Sequence, residues 1–216
     1  MNSLSKALLV ALGLALSAPL LAKPKTVSLT DLTPTSEQGE AADWVSKYLT
    51  RLHYASKPLD DAMSQEILKR YIEALDSEKV FFLKADIDGF QQRYGTQLDQ
   101  AIESRELDAV YDVYKVYLKR LRERTEYARS LLPKGFDFGV DEDYVYDRED
   151  APWAASKSDL DEHWRQRVKN DWLRLKLAKR EDAKIAETLE KRYADYLVRV
   201  EQLDRQDVFQ TFLNAY

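Results

Sequence analysis

ELDAVYDVYKVYLKRLRERTEYARSLL, residues 106–132, decides the fold. Leu107, Val110, Tyr111, Tyr114, Tyr117, Leu118, Leu121, Ala128 and Leu131 recur at three- and four-residue spacing, the period of one face of an α-helix. At about 1.5 Å per residue the element is roughly 40 Å long. Pro133 and Gly135 end it, the first by lacking an amide proton and the second by freeing the backbone. Lys119, Arg120, Arg122, Glu123, Arg124 and Glu126 read as its solvated face. The tyrosines suit a half-buried surface on which the ring packs and the hydroxyl finds a polar partner. Core packing accounts for them better than an aromatic ligand box does.

The flanking sequence repeats the pattern. Thr35 and Gln38 have capping-box spacing, and Ala41, Trp44, Val45, Tyr48 and Leu52 form the inward stripe of the helix that follows. Lys57 and Pro58 end that helix. A second runs from about Asp60 to Leu75 on Met63, Ile67, Tyr71 and Leu75. Val80 to Leu83 form a very apolar connection, read as a buried turn or helix start. Asp86 to Tyr94 is a short helix stopped by Gly95, and Thr96 restarts the chain for another to about Ser104. Ser156 or Ser158 caps a helix with Leu160, Trp164, Val168, Trp172 and Leu175 inward. A further long helix runs from about Asp182 to Leu203 on Ile185, Leu189, Tyr193, Tyr196, Val200 and Leu203. Asp204 caps the last, whose stripe is Val208, Phe209, Phe212, Leu213 and Tyr216. No Gly, Pro or basic last turn closes it, and its apolar face needs a covering partner.

The expected fold is therefore all-α, a multi-helix domain over residues 35–216 with long amphipathic helices and one irregular loop at about 133–157. Only 6 Gly and 6 Pro in 216 residues support that class over a many-turned β architecture. Within the loop, Phe136 and Phe138 flank Asp137 and Tyr144 and Tyr146 flank Val145, an alternation that allows a minor hairpin about Gly139. The loop's acids do not make a calcium site. Counted from Asp141, the twelfth position is Pro152 and the sixth is not Gly. They read as a solvated acidic stretch that Trp153 pins to the helices. Residues 1–22 have the layout of a signal peptide: Lys6, an apolar run from Ala7 to Leu16, and a small-residue exit at Ala22. The run is too short to span a bilayer, which takes about 20 apolar residues. Residues 23–34, with two prolines, read as a flexible lead-in.

Chemistry is sparse. The net charge of −5 argues against nucleic acid as a partner, and the basic residues Arg165, Arg167 and Lys169 beside Trp164 and Trp172 are interleaved with Asp159, Asp161, Glu162 and Asp171. With no Cys there is no thiol nucleophile and no thiolate metal site. His53 and His163, the only histidines, lie in no metal-binding spacing. There is no GxSxG elbow and no phosphate-cradling Gly loop. The single SxxK pair, Ser3 and Lys6, falls in the signal peptide. No residue is assigned as catalytic, cofactor-binding or metal-binding, and no cofactor is expected.

Several runs in fixed order carry a resemblance. They are LTRLHY at Leu49–Tyr54, RYIEALDSEKVFFLKADI at Arg70–Ile87, DREDAPW at Asp147–Trp153, LDEHWRQRVKNDWLRLKL at Leu160–Leu177, LEKRY at Leu189–Tyr193, and DVFQTFLNAY at Asp207–Tyr216. Behind a signal peptide, they resemble the N-terminal region of the tail-specific proteases (Prc/Tsp), the C-terminal processing peptidases of Gram-negative bacteria. The resemblance implies a helical scaffold domain of a periplasmic serine endopeptidase that degrades proteins with accessible apolar C-termini. It implies a PDZ domain and a protease domain with a Ser–Lys dyad beyond Tyr216, and an outer-membrane lipoprotein adaptor as a further partner. No residue of this chain matches the dyad, so the chain alone is expected to be inactive. The alternative is a stand-alone helical periplasmic chaperone or adaptor.

If residues 1–22 are removed on export, N-terminal sequencing of the exported protein reads from Lys23. A sequence that still begins at Met1, or carbonate-resistant retention in the membrane, contradicts it.

Overall fold

Reciprocal caps start the helices where the sequence placed them. Thr35 N–H donates to Gln38 Oε1 (3.1 Å) and Gln38 N–H to Thr35 Oγ1 (3.3 Å). Ser156 with Asp159, and Asp204 with Asp207, do the same, and the Asp60 carboxylate accepts from Met63 N–H. Each cap satisfies amides that the first helical turn leaves without partners. The computed structural model describes residues 27–51 and 57–216. The eight α-helices among the described residues are α1 (Ser36–Arg51), α2 (Asp61–Leu75), α3 (Lys84–Tyr94), α4 (Leu98–Ser104), α5 (Asp108–Leu131), α6 (Lys157–Leu177), α7 (Asp182–Glu201) and α8 (Arg205–Ala215). No sheet forms among the described residues; a single parallel bridge pairs Leu83 with Ala154. The signal peptide, the first residues of the lead-in and His53 lie outside the described residues.

Helix α5 is the axis. Val110, Tyr111, Tyr114, Leu118, Leu121 and Ala128 are buried along its length, and α6, α7 and α8 all pack on it. Helices α6 and α7 form an antiparallel hairpin, tied where Tyr193 donates to Asp171 (2.8 Å) and where Lys176 meets Asp182 (3.0 Å). Helix α7 runs back along α5: Tyr114 and Arg122 meet its C-terminal end at Val200 and Glu201, and Arg129 meets Glu190 halfway along. All four positions four apart on α6, Leu160, Trp164, Val168 and Trp172, are buried. Burying each such side chain contributes about 1.5–3 kcal/mol.

The apolar connection after α2 is a buried turn. The Asp76 carboxylate accepts from the amides of Val80 (2.8 Å), Phe81 (2.8 Å) and Phe82 (2.9 Å). Trp164 Nε1–H donates to the Val80 carbonyl (2.7 Å). Held this way, Phe81 meets Tyr117, Trp164 and Tyr196, while Phe82 meets Phe90, Tyr117 and Trp153.

Five expectations are corrected. Helix α1 turns the two aromatics of its apolar stripe outward: Trp44 is 72% exposed and Tyr48 56%, while Ala41 and Val45 are half-buried and Gln38, Ala42, Asp43 and Ser46 face inward. Polar anchors select that face. Asp43 pairs with Arg105 (2.9 Å), and Tyr111 donates to Gln38 (2.7 Å). A Cβ at Gly39 would lie 2.5 Å from the Arg105 carbonyl oxygen, so only glycine lets α1 approach the end of α4 this closely. Helix α8, expected to need an outside partner, is covered already: Phe209 and Phe212 are buried against α2 and α5, with Phe212 edge-on to Tyr71 at 5.6 Å. Arg124, read as solvated, is 1% exposed and paired with Asp161. Leu203, read as inward, is exposed. The hairpin about Gly139 does not form, because Phe136, Phe138, Glu142 and Tyr144 pack on α6 and not across a strand pair. Near the start, Val27 N–H donates to Glu201 O (3.0 Å) and Leu32 is fully buried, so the described part of the lead-in is docked on the core.

Trp164 and Trp44 make a paired test. Trp164→Ala removes a buried ring and the donor to Val80, and should cost about 3–5 kcal/mol in urea denaturation. Trp44→Ala should change stability by less than about 0.5 kcal/mol. Equal losses would contradict this arrangement.

Candidate functional site

Titratable groups in the interior serve packing and pairing. His163 on α6 is buried and stacks on Tyr144, with ring centroids 5.8 Å apart. Its Nε2 has no hydrogen-bond partner among the described residues. Burial, with Arg148 and Arg167 nearby, pulls its pKa down to about 4. The imidazole is therefore neutral across ordinary pH and is not poised as a general base. Among the described residues, no group of three or more His, Asp or Glu side chains could hold a metal ion. The tyrosines of α5 are core residues, with burial raising Tyr111 to about 12 and Tyr114 and Tyr117 further.

The basic stretch of α6 is neutralised within the fold. Arg165 pairs with Glu142 and Glu162, Arg167 with Glu78, and Lys169 with Glu142. The Arg165 and Lys169 cations hold the Glu142 carboxyl down at about 2. Arg167 also lies over the Trp164 ring, 5.2 Å from its centroid. The charged ring around the two tryptophans is thus a set of ion pairs, and it offers no stripe of unpaired cations for a phosphate backbone.

Three surface features remain. One is the outward face of α1, carrying Trp44 and Tyr48. A second is a cleft of about 440 Å³ between the end of α2 and the α6–α7 hairpin, with Trp164, Tyr193 and Tyr196 in its walls and Arg192 and Arg199 at its rim. The third and largest is a groove of about 690 Å³ between the 138–146 segment and α6. The segment runs antiparallel to α6: Phe136 lies on Trp172, Phe138 beside Lys176 and Lys169, Glu142 on Lys169 and Arg165, and Tyr144 on His163. Trp153 then anchors the far end against Phe82, with Lys79 over its ring at 5.7 Å. No single residue in these features was singled out as a site from sequence. The groove depends on how far the loop stands off α6, which no local pattern encodes.

Two comparisons bear on what the domain belongs to. The profile described as "Tail specific protease N-terminal domain" matches residues 45–216. The protein named "Tail-specific protease" from Haemophilus influenzae (strain ATCC 51907 / DSM 11121 / KW20 / Rd) is 37% identical over 194 residues, which is 90% of this chain and 28% of the relative. The chain thus spans little more than a quarter of the length of that relative.

The His163 assignment predicts an acid limb. A histidine whose pKa is lowered by folding supports stability fully above about 6.5, and that support is lost as pH falls from there toward about 4. The stability gap between the wild type and His163→Gln should therefore narrow over that interval in denaturant titrations. A gap independent of pH would contradict a neutral buried imidazole. With the helical core, the capped α6 and the buried Val80–Phe82 turn in place, and the profile matched over residues 45–216, this chain belongs to the tail-specific protease N-terminal domain family.

Proposed function

We propose that this chain is the N-terminal helical scaffold of a periplasmic tail-specific serine endopeptidase, and that the full-length enzyme degrades proteins with accessible apolar C-termini. The observation that carries the reading is the family match over residues 45–216, together with 37% identity to a relative named as such a protease. The fold supports a scaffold role. One contiguous core joins α2, α5, α6, α7 and α8, so the last helix is held as firmly as the first long ones. A domain that follows such a helix would be positioned against a rigid frame and not on a flexible tether. Export, the PDZ and protease domains and a lipoprotein adaptor are parts of the same proposal. The signal-peptide layout of residues 1–22 supports the compartment.

Amide hydrolysis near neutral pH needs an activated nucleophile or a metal-bound water. This chain has no Cys, and the one histidine in the described fold is buried and neutral. Purified chain incubated with an unfolded protein ending in apolar residues should leave it intact. A chain extended through the downstream Ser–Lys dyad should cleave it. Cleavage by the 216 residues alone, abolished by a point substitution within them, would overturn the scaffold reading.

A further inference from the structure

The cleft between the end of α2 and the α6–α7 hairpin holds more donors than its own acceptors engage. Its three acids are all occupied within the fold. The Asp76 carboxylate accepts the amides of Val80, Phe81 and Phe82. Glu78 pairs with Arg167 at 2.7 Å, and Asp171 accepts from the Tyr193 hydroxyl at 2.8 Å. The cations are not all occupied. Arg192 comes no closer to Asp171 than 3.7 Å, beyond hydrogen-bond distance. Arg199 is exposed and has no ion-pair or hydrogen-bond partner among the described residues. Asp195 lies between the two arginines on α7 and pairs with neither.

Helix α7 aims both guanidinium groups at one mouth. Positions 192, 196 and 199 have the spacing of a single helix face, so Arg192 and Arg199 flank Tyr196, and all three line the cleft. Tyr196 stacks on Phe81 with ring centroids 6.4 Å apart and planes 22° from parallel. Phe81 is itself held by Trp164 at 5.8 Å and Tyr117 at 5.6 Å. Leu75 and Tyr196 are half-buried, and with Phe81 they make the apolar part of the lining mostly ring surface. The floor is fixed without a ligand, since the Trp164 indole is bonded to the Val80 carbonyl and Arg167 lies over its ring.

Charge and size then select the occupant. The unengaged guanidinium of Arg199 calls for an anion. A dianion such as phosphate would meet the Asp171 and Glu78 carboxylates in the same lining, so a single negative charge fits best. The volume of about 440 Å³ lies toward the lower end of the range of about 300–1,000 Å³ that ligand sites occupy. We propose that this cleft binds a small aromatic monocarboxylate. Its carboxylate takes the Arg199 guanidinium, whose planar fork holds both oxygens, with Arg192 as a second donor. Its ring lies against Tyr196, Phe81 and Leu75. The inference goes beyond the scaffold reading and does not rest on it, because the binding belongs to this chain and is measured without any protease.

The test is calorimetric titration of the purified chain with indole-3-propionate at low salt. It should show saturable binding at one site. Indole-3-propionamide, which keeps the ring and loses the charge, should bind at least roughly tenfold more weakly, the loss of one charge-assisted pair. Acetate, which keeps the charge and loses the ring, should do the same. Arg199→Glu should weaken indole-3-propionate at least roughly tenfold and Arg192→Gln several-fold, both with an unchanged thermal melt because the positions are exposed. Arg199→Lys, which keeps the charge without the fork, should fall between wild type and Arg199→Glu. Absence of saturable binding, equal binding of the propionamide, or equal binding by Arg199→Glu would each overturn the proposal. So would equal binding of acetate, which would mean that the rim attracts any anion and the rings take no part.

Discussion

The Asp76 carboxylate, buried at the end of α2, receives the amides of Val80, Phe81 and Phe82, and the arrangement of the helices follows from it. A buried amide left without a partner costs about 1–3 kcal/mol, so three apolar residues in a non-helical turn could not otherwise enter the core. With the amides satisfied, Val80 and Phe82 bury almost completely. The Val80 carbonyl in turn accepts from the Trp164 indole. The turn is thereby fixed to α6, and its two phenylalanines reach α3, α5 and α7. Burial pushes the Asp76 carboxyl above its usual range against the opposing pull of the three amides, which is the electrostatic cost of using a carboxylate here.

Buried charge then sets how the helices meet. Arg124, on the core face of α5, reaches Asp161 near the start of α6, and Lys157 shares the same carboxylate at 2.9 Å. The Arg120 guanidinium grips Asp86 at the start of α3 with two nitrogens, at 2.8 and 2.9 Å. Such pairs add little net stability over well-packed apolar side chains, because desolvation offsets the attraction. Their effect is on alternatives. Arg124 is the case in point: a slip of one helical turn that parted it from Asp161 would strand its guanidinium in the core.

The α5, α6 and α7 helices were legible from periodicity, and the caps at Thr35, Ser156 and Asp204 from residue type, because both signals are local. The failures share a cause. On α1 the stripe of Ala41, Trp44, Val45 and Tyr48 was read correctly as a stripe, but periodicity does not say which side of a helix is covered. That was decided by Gly39 against Arg105, Asp43 on Arg105 and Gln38 on Tyr111, contacts between residues more than sixty positions apart. Arg124 looked solvated because charge usually is, and only Asp161 from another helix makes its burial tolerable. The alternation at Phe136–Phe138 places both rings against α6 and not across a strand pair. The groove had no sequence signature, because it depends on how far residues 138–146 stand off α6.

These features divide the molecule into a closed interior and selectively open edges. The interior pairs Arg124 with Asp161 and gives the amides of the Val80–Phe82 turn to Asp76, and it covers α8, which sequence alone leaves unpartnered. Among its openings, the outward aromatic face of α1 and the groove between residues 138–146 and α6 differ in kind. On α1, Trp44 and Tyr48 offer apolar area on the convex surface of a helix. The groove is concave and mixed in character, with Val140, Tyr146 and Leu173 beside Asp141, Asp143 and Arg174. Its shape is set from within the fold, because Phe136 on Trp172, Glu142 on Lys169 and Arg165, and Tyr144 on His163 fix the loop along α6.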